Sequence, residues 1–381
     1  MKLVVNALAT RPGGALTVLT GLLRAWQQAG RIGQDFQVTV LASVPATIEA
    51  LRSASAACHV EPLLVGAGVL RRTWWQSFRM GAWLRQQQTD VLLTNNHYLP
   101  RVGCPQVVHH HNLWQFLTPD LGVPPRRRIG ESWRNARARD ALVQAAANVF
   151  VSHFLRSQAE RFVPQSAPRN HVVPNALDDE AIDRARVLPI EAAPRPWLVS
   201  VQSANPHKDH PTLLRAFARV IALEPALDWR LRIAGTAGRA SWQPLEALAQ
   251  ELGIAQRVEW CGYCNADRVR ELLRESLCLV STSRLESSGL TLLEALGEGC
   301  VPVASRIPAF VEYARDAALL VPAQDPEAFA RAIVELWRDP ARRGRLAEQG
   351  QQQIEGYRWS YWSQQMASII ERAAASQNPP G

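Results

Sequence analysis

Hydrophobic positions along the 381-residue chain fall into two kinds of run. Short β-branched or apolar runs come first: KLVVNAL, FQVTVLAS, DVLLTNN, PQVVHHH, NVFVSH and NHVVPN in the first half, then PWLVSVQ, WRLRIAG, RVEWCG, LCLVSTS, VPVAS and ALLVPA in the second. Most lack polar alternation, which fits strands of a parallel sheet covered on both faces. Longer amphipathic runs, such as HPTLLRAFARVIAL and QPLEALAQELGI, lie between many of them. Alternation of this kind predicts right-handed βαβ units. The pattern restarts once, after the Pro-rich stretch VLPIEAAPRP, which reads as an interdomain linker. We therefore expect an α/β chain with two doubly wound, Rossmann-like domains, residues 1–186 and 187–356, then an aromatic-rich helix and tail over 357–381. That helix, YRWSYWSQQMASIIERAAA, is expected to cross back to the first domain, and the tail SQNPPG to be disordered. Ligands of such sheets bind beyond the carboxyl ends of the strands, so two facing sheets would converge on a central cleft.

Composition agrees with a soluble protein too long for one core: 47% of residues are hydrophobic and 20% charged. No apolar run approaches the roughly 20 residues of a membrane-spanning helix. The opening MKLVVNALATRPGG is expected to be a first buried strand and not a signal peptide. The six cysteines are scattered, as expected of reduced thiols in a cytoplasm. CGYC (261–264) has the spacing of a metal or redox pair, but no second such pair and no nearby His pair completes a zinc site. Charge is one-sided. Residues 1–187 hold 21 Lys and Arg against 12 Asp and Glu, whereas residues 188–381 hold 21 against 22. A basic first half points to an anionic partner surface.

Four stretches carry candidate chemistry. In STSRLESSGLTLLEALGEG a strand is expected to end near Ser283 and a helix to begin near Gly289 or Leu290, with Ser287 and Ser288 as N-cap types. First-turn amides and the helix dipole make that terminus suited to a phosphate, and Gly289 would let a ligand approach the backbone. Glu286 lies before this helix and Glu294 about one turn inside it, and carboxylates suit hydroxyl-rich ligands. In VSVQSANPHKDHPTLL, Lys208 follows a strand end and precedes a helix, well placed to neutralise phosphate. It is one of only two lysines, against forty arginines. In RPGGALTV, Gly13 and Gly14 form a turn that backbone could use to approach a ligand, although it is no dinucleotide fingerprint. In PQVVHHHNLWQF, His109, His110 and His111 end a strand on alternating faces, so they cannot all converge on one ion. One of them remains a polar contact or acid/base group.

Together these stretches resemble the retaining glycosyltransferases of family 4, of GT-B fold. The resemblance runs over nearly the whole chain and is strongest from Val199 to Ala323. It rests on the Glu286 to Glu294 spacing, EALGEGCVPVAS, the acidic Glu312, ALLVPAQDPEAFARAI, the Gly-Gly loop, His111-Asn112, VFVSHFLRSQ, and VVPNALDDE with Ala176 where glycine is usual. It implies that Glu294 binds the nucleotide ribose and Glu286 the donor sugar. Amides of Ser288, Gly289, Leu290 and Thr291 would hold the diphosphate with Lys208 and the Gly13-Gly14 loop, and His111 would touch the sugar near the reacting centre. It implies no cofactor and no metal: the nucleotide-diphosphate sugar, UDP- or GDP-linked, is a co-substrate, and protein cations and dipoles stabilise the leaving group. Many relatives carry an arginine where this chain has Gln202, so the diphosphate would have one cation fewer.

The basic half mixes Arg with Trp in GVLRRTWWQSFRMGAWLR (68–85) and PPRRRIGESWRNARARDALVQ (124–144). Such a mixture suits an anionic membrane interface, although a solvated basic face with buried Trp fits it too. The resemblance suggests a saccharide acceptor, lipid-linked, in lipopolysaccharide or exopolysaccharide synthesis at the cytoplasmic membrane face. No nucleic-acid-binding motif is present, and nucleic acid is not an expected partner. A sugar-nucleotide epimerase of the same fold and a non-catalytic nucleotide-sugar-binding protein stay open as alternatives.

Overall fold

The computed structural model describes residues 1–95, 99, 102–116, 136, 138–187, 195–236 and 239–376. Most of the expected linker, the tail beyond Ser376, and most of the second Arg/Trp stretch lie outside them. The chain divides into two compact units, one from Met1–Asp178 and Arg358–Gly381, the other from Asp179–Tyr357.

The first unit is built on seven parallel strands: β1 (Lys2–Asn6), β2 (Gln37–Ala42), β3 (His59–Pro62), β4 (Val91–Asn95), β5 (Gln106–His110), β6 (Ala147–Phe150) and β7 (Asn170–Val172). Their order is β3-β2-β1-β4-β5-β6-β7. Connecting helices include α1 (Gly14–Gln28), α2 (Pro45–Ala54), α3 (Val69–Phe78), α4 (Met80–Gln86) and α5 (His153–Phe162). Ser152 in VFVSHFLRSQ caps α5, its hydroxyl accepting from the Leu155 amide at 3.0 Å. Strand β3 was not expected. It is an edge strand whose only buried residue is Val60, so it lacks the apolar run that marks the others.

The second unit opens with α6 (Asp179–Val187) and has six parallel strands: β8 (Arg195–Val201), β9 (Arg230–Ala234), β10 (Val258–Gly262), β11 (Ser276–Ser281), β12 (Val301–Ser305) and β13 (Leu319–Val321), in the order β10-β9-β8-β11-β12-β13. Helices α7 (His210–Leu223), α8 (Arg239–Glu251), α9 (Ala266–Arg274), α10 (Leu290–Gly297) and α11 (Pro308–Ala314) connect them, followed by α12 (Pro326–Arg338) and α13 (Pro340–Ile354). Alternate strand residues feed opposite cores. Leu198, Cys278 and Val301 join Phe217, Trp229 and Phe329 on one face, while Val199, Leu279 and Ala304 join Leu272, Leu292 and Phe310 on the other. Burial on both faces explains the unbroken apolar runs.

The last helix, α14 (Trp359–Ala375), returns to the first unit and packs on α1. The buried Trp26 indole donates to the Ser363 carbonyl at 2.8 Å, and the Trp359 ring fills the space a side chain at Gly21 would need.

Candidate functional site

Strand order in the second unit reverses between β8 and β11, and the candidate residues gather at the carboxyl ends of these two strands. Such a reversal opens the crevice where doubly wound sheets hold ligands. Gln202 follows β8 and Gly235 follows β9. The two chain segments approach so closely that a Cβ on Gly235 would lie 2.0 Å from the Gln202 carbonyl oxygen. The turn Pro206–Lys208 is tied down from β11: the Thr282 hydroxyl donates to the Lys208 and Asp209 carbonyls, both at 3.0 Å, and the Arg284 amide donates to the His207 carbonyl at 2.8 Å. Asp209 closes the turn at φ 53°, a left-handed conformation rare for a side-chain-bearing residue and held here by these bonds.

This scaffold aims Lys208 at Glu286. Lys208 Nζ donates to Glu286 Oε1 at 2.5 Å, with both side chains more than four-fifths buried. The Ser283 hydroxyl donates to the same oxygen at 2.7 Å. Ser283 in turn accepts from Gln202 Nε2 at 2.8 Å, and Ser281 accepts from that nitrogen at 2.6 Å. Gln202, Ser283, Glu286 and Lys208 therefore form one hydrogen-bonded chain across the sheet's carboxyl edge. Lys208 has two further donors, so it can keep Glu286 aligned while gripping an anion.

Helix α10 starts at Leu290, with Gly289 as its cap residue. Ser287 and Ser288 are not its N-cap, as had been expected, and β11 ends at Ser281, two residues before the expected Ser283. The amides of Leu290 and Thr291 open the helix, while the Leu293 amide already bonds back to the Gly289 carbonyl at 3.0 Å. Packing adds a reason of its own for glycine at position 289. A Cβ there would meet Tyr313 Cβ at 2.5 Å, so the missing side chain makes room for the core. Glu294 sits five residues into α10. Burial pushes its carboxyl up to about 7, opposed by the Arg270 guanidinium. A buried carboxyl so displaced beside a strand-end crevice makes Glu294 a candidate for the site.

The remaining candidates lie in the first unit, also at the carboxyl edge of its sheet. Gly13 caps α1 at φ 138°, a conformation that glycine alone adopts without strain, and Gly14 begins the helix. His111 follows β5. The histidines alternate as expected: the His109 and His111 rings meet at 3.9 Å, while His110 stacks on Phe150 at 4.7 Å. Burial, with His110 adding to it, drives the His111 imidazole down to about 3. It is therefore neutral at physiological pH and can engage a partner by hydrogen bonding but not by charge.

The family description "Glycosyltransferase Family 4" matches residues 12–181 and "Glycosyl transferases group 1" matches residues 188–353. The chain belongs to these glycosyltransferases. Similar curated family members are the D-inositol 3-phosphate glycosyltransferases of Acidothermus cellulolyticus (27% identical over 81% of this chain and 68% of the relative) and Stackebrandtia nassauensis (31%, over 72% and 66%). That of Rhodococcus opacus is 30% identical over 49% of this chain and 43% of its own length. The chain thus spans only about 43% to 68% of the relatives it matches. Among solved structures, sucrose-phosphate synthase from Thermosynechococcus elongatus superposes with a TM-score of 0.77 at 18% identity, covering 99% of this chain and 100% of that one. Anabaena HepE, solved in complex with UDP-glucose, gives 0.74 at 16% identity, covering 97% and 99%. At these identities the likeness is one of fold, and the fold of this family-4 chain is GT-B: two Rossmann-like units of parallel sheet.

Two members of the site were not singled out by sequence. Ser283 was read only as a strand end, and Gly235 only as the last residue of the strand run WRLRIAG. Ser283 had a signal, the STS run directly after a buried strand and three residues before Glu286. Gly235 had none, because its role is a contact between segments 33 residues apart. CGYC forms no reactive pair: burial raises both thiols, Cys261 to about 11. Such thiols stay protonated and are poor nucleophiles.

Proposed function

We propose that this chain transfers a hexose from a nucleotide-diphosphate sugar, UDP- or GDP-linked, to a saccharide acceptor, with retention of anomeric configuration and without a metal. The observation that carries this reading is the buried Lys208–Glu286 pair beside the start of α10. It joins a cation, a hydrogen-bond acceptor and a helix N-terminus, the three things a sugar diphosphate asks for. In this reading Lys208 and the amides of Ser288, Gly289, Leu290 and Thr291 hold the diphosphate, helped by Gly13 and Gly14. Glu286 accepts from sugar hydroxyls, Glu294 from the ribose, and the neutral His111 contacts the sugar. Gln202 takes the place of a cation by fixing Ser283, and through it Glu286. Support comes from family membership and from neighbours of the same fold solved with UDP and UDP-glucose. The acceptor is proposed to be lipid-linked and presented at the inner membrane face, within cell-surface polysaccharide or lipopolysaccharide synthesis.

Calorimetry with UDP-, GDP-, ADP- and dTDP-sugars tests the donor. One class should bind, and saccharide acceptors should then be glycosylated in the presence of EDTA with the donor's anomeric configuration kept. A protein that binds no member of the panel would sink the reading. Donor binding with neither transfer nor donor hydrolysis would make it a binding protein.

Glu294 adds a pH signature. Its native carboxyl stays protonated up to about 7, above the usual carboxylate range, so its ionisation costs the fold stability as pH rises through that window. Ribose hydroxyls donate best to the ionised form, so donor binding should release a proton below about pH 7. Between about pH 8 and pH 6 this costs affinity about tenfold. Glu294→Gln is the reference, since nucleotide phosphates titrate nearby in both proteins. Equal pH dependence in the two would remove Glu294 from the donor site.

A further inference from the structure

Helix α3 is amphipathic in the wrong sense for a helix that merely covers a core. None of its residues is buried. Its inward side is held by polar and aromatic contacts: the Arg72 guanidinium donates to the Leu8 carbonyl at 3.4 Å and to Ser43 Oγ at 3.3 Å, Gln76 donates to Asn6 Oδ1 at 3.2 Å, and Trp75 packs on Trp83 at 6.4 Å. The apolar side chains point outward. Leu70 is 88% exposed, Phe78 66%, Val69 64% and Trp74 54%, with Val65 adding to them just before the helix. Positions 70, 74 and 78 follow one another at single-turn spacing, and the Trp74 and Phe78 rings meet at 6.0 Å to form a continuous ridge. Among the described residues, the other exposed large apolar side chains are scattered singly, as on ordinary protein surfaces.

Charge on this segment has one sign. Residues 62–89 contain Arg71, Arg72, Arg79 and Arg85 and neither Asp nor Glu. Arg71 and Arg79 are exposed beside the ridge. A partner for this face must be apolar in its interior and anionic at its rim. A second copy of the chain fits poorly, because an isologous contact would set these arginines against themselves.

We propose that α3 docks the protein on a bilayer containing anionic phospholipids. Leu70, Trp74 and Phe78 enter the boundary between headgroups and acyl chains, and Arg71 and Arg79 lie at the lipid phosphates. Tryptophan favours that depth, and a helix with an apolar ridge and flanking cations lies in the interface plane without crossing it. The docking requires neither donor nor acceptor, so it stands or falls apart from the sugar-transfer reading.

The test is co-sedimentation of the full chain, without donor, with vesicles of phosphatidylglycerol and phosphatidylcholine or of phosphatidylcholine alone. The protein should pellet with the mixed vesicles and largely stay in solution with the neutral ones, and added salt should release it. Arg71→Gln and Arg79→Gln should each weaken binding about fivefold. The triple variant Leu70→Ser, Trp74→Ser, Phe78→Ser, whose side chains are already exposed, should keep its Tm and lose vesicle binding. Equal vesicle binding by wild type and triple variant, or none by wild type, would overturn the proposal. So would a wild-type dimer that the triple substitution turns into a monomer, since the ridge would then belong to a second copy.

Discussion

Lys208→Ala should lower the rate of sugar transfer by about a hundred- to a thousandfold, the loss typical of deleting one preorganised group that stabilises developing charge. Its ammonium lies 2.5 Å from Glu286 in a pocket more than four-fifths closed to solvent, so no water can replace it at low cost. Glu286→Ala should lose as much, because the same contact aims the lysine. Stability separates the two roles of the pair. Each single variant strands one charge in a site that keeps some access to solvent, at a cost of about 1–2 kcal/mol, between the values for surface and fully buried pairs. In a unit of this size that lowers Tm by about 2–4 °C per kcal/mol. The double variant Lys208→Ala, Glu286→Ala strands nothing and should recover most of the Tm. Its transfer activity should stay as low as that of either single variant, because groups acting as one unit fail together. Measured Tm and initial rates across this cycle decide the point. A double variant that regains activity along with stability would show the pair to be structural only.

What could be read from sequence divides along physical lines. In the second unit β11 and β12 were the most legible, because they are buried throughout and carry an unbroken apolar run, whereas the edge strands β10 and β13 are only partly buried. Strand β3, with Val60 alone buried, carries no such run. Lys208 and Glu286 were each legible by type and by position at strand ends. Their direct pairing was not, because it depends on the Asp209 turn and on Thr282, 74 residues from the carbonyl it grips. Gln202 was legible only as a missing cation. Its bonds to Ser281 and Ser283 needed the β8–β11 neighbourhood, and strand order cannot be read from one strand at a time. The Arg/Trp stretch showed its composition but not its direction: Trp75 and Trp83 turn inward, while Trp74 faces solvent.

Gly289→Ala should be nearly as damaging as loss of a charged residue, although it adds one methyl group. The new Cβ would lie 2.5 Å from Tyr313 Cβ and 2.8 Å from Cγ. Tyr313 has no room to yield: it is fully buried, and it stacks on Tyr357 at 5.5 Å. Restoring ordinary contact moves the start of α10 by about 1 Å, and misplacement on that scale can cost a reaction about a hundredfold. Overpacking of this kind costs about 1–3 kcal/mol of stability. The amides of Leu290 and Thr291 move with the backbone, so donor affinity should fall together with rate. Gly344→Ala is the control. Gly344 lies within α13, its backbone is free of positive φ, and a Cβ there would meet nothing within 4 Å. Alanine there should stabilise the helix by about 0.5–1 kcal/mol. The same chemical change is thus expected to act with opposite sign at the two glycines, in Tm by thermal melting and in donor affinity by calorimetry. If the two variants behaved alike, the start of α10 would not be the element that positions the diphosphate.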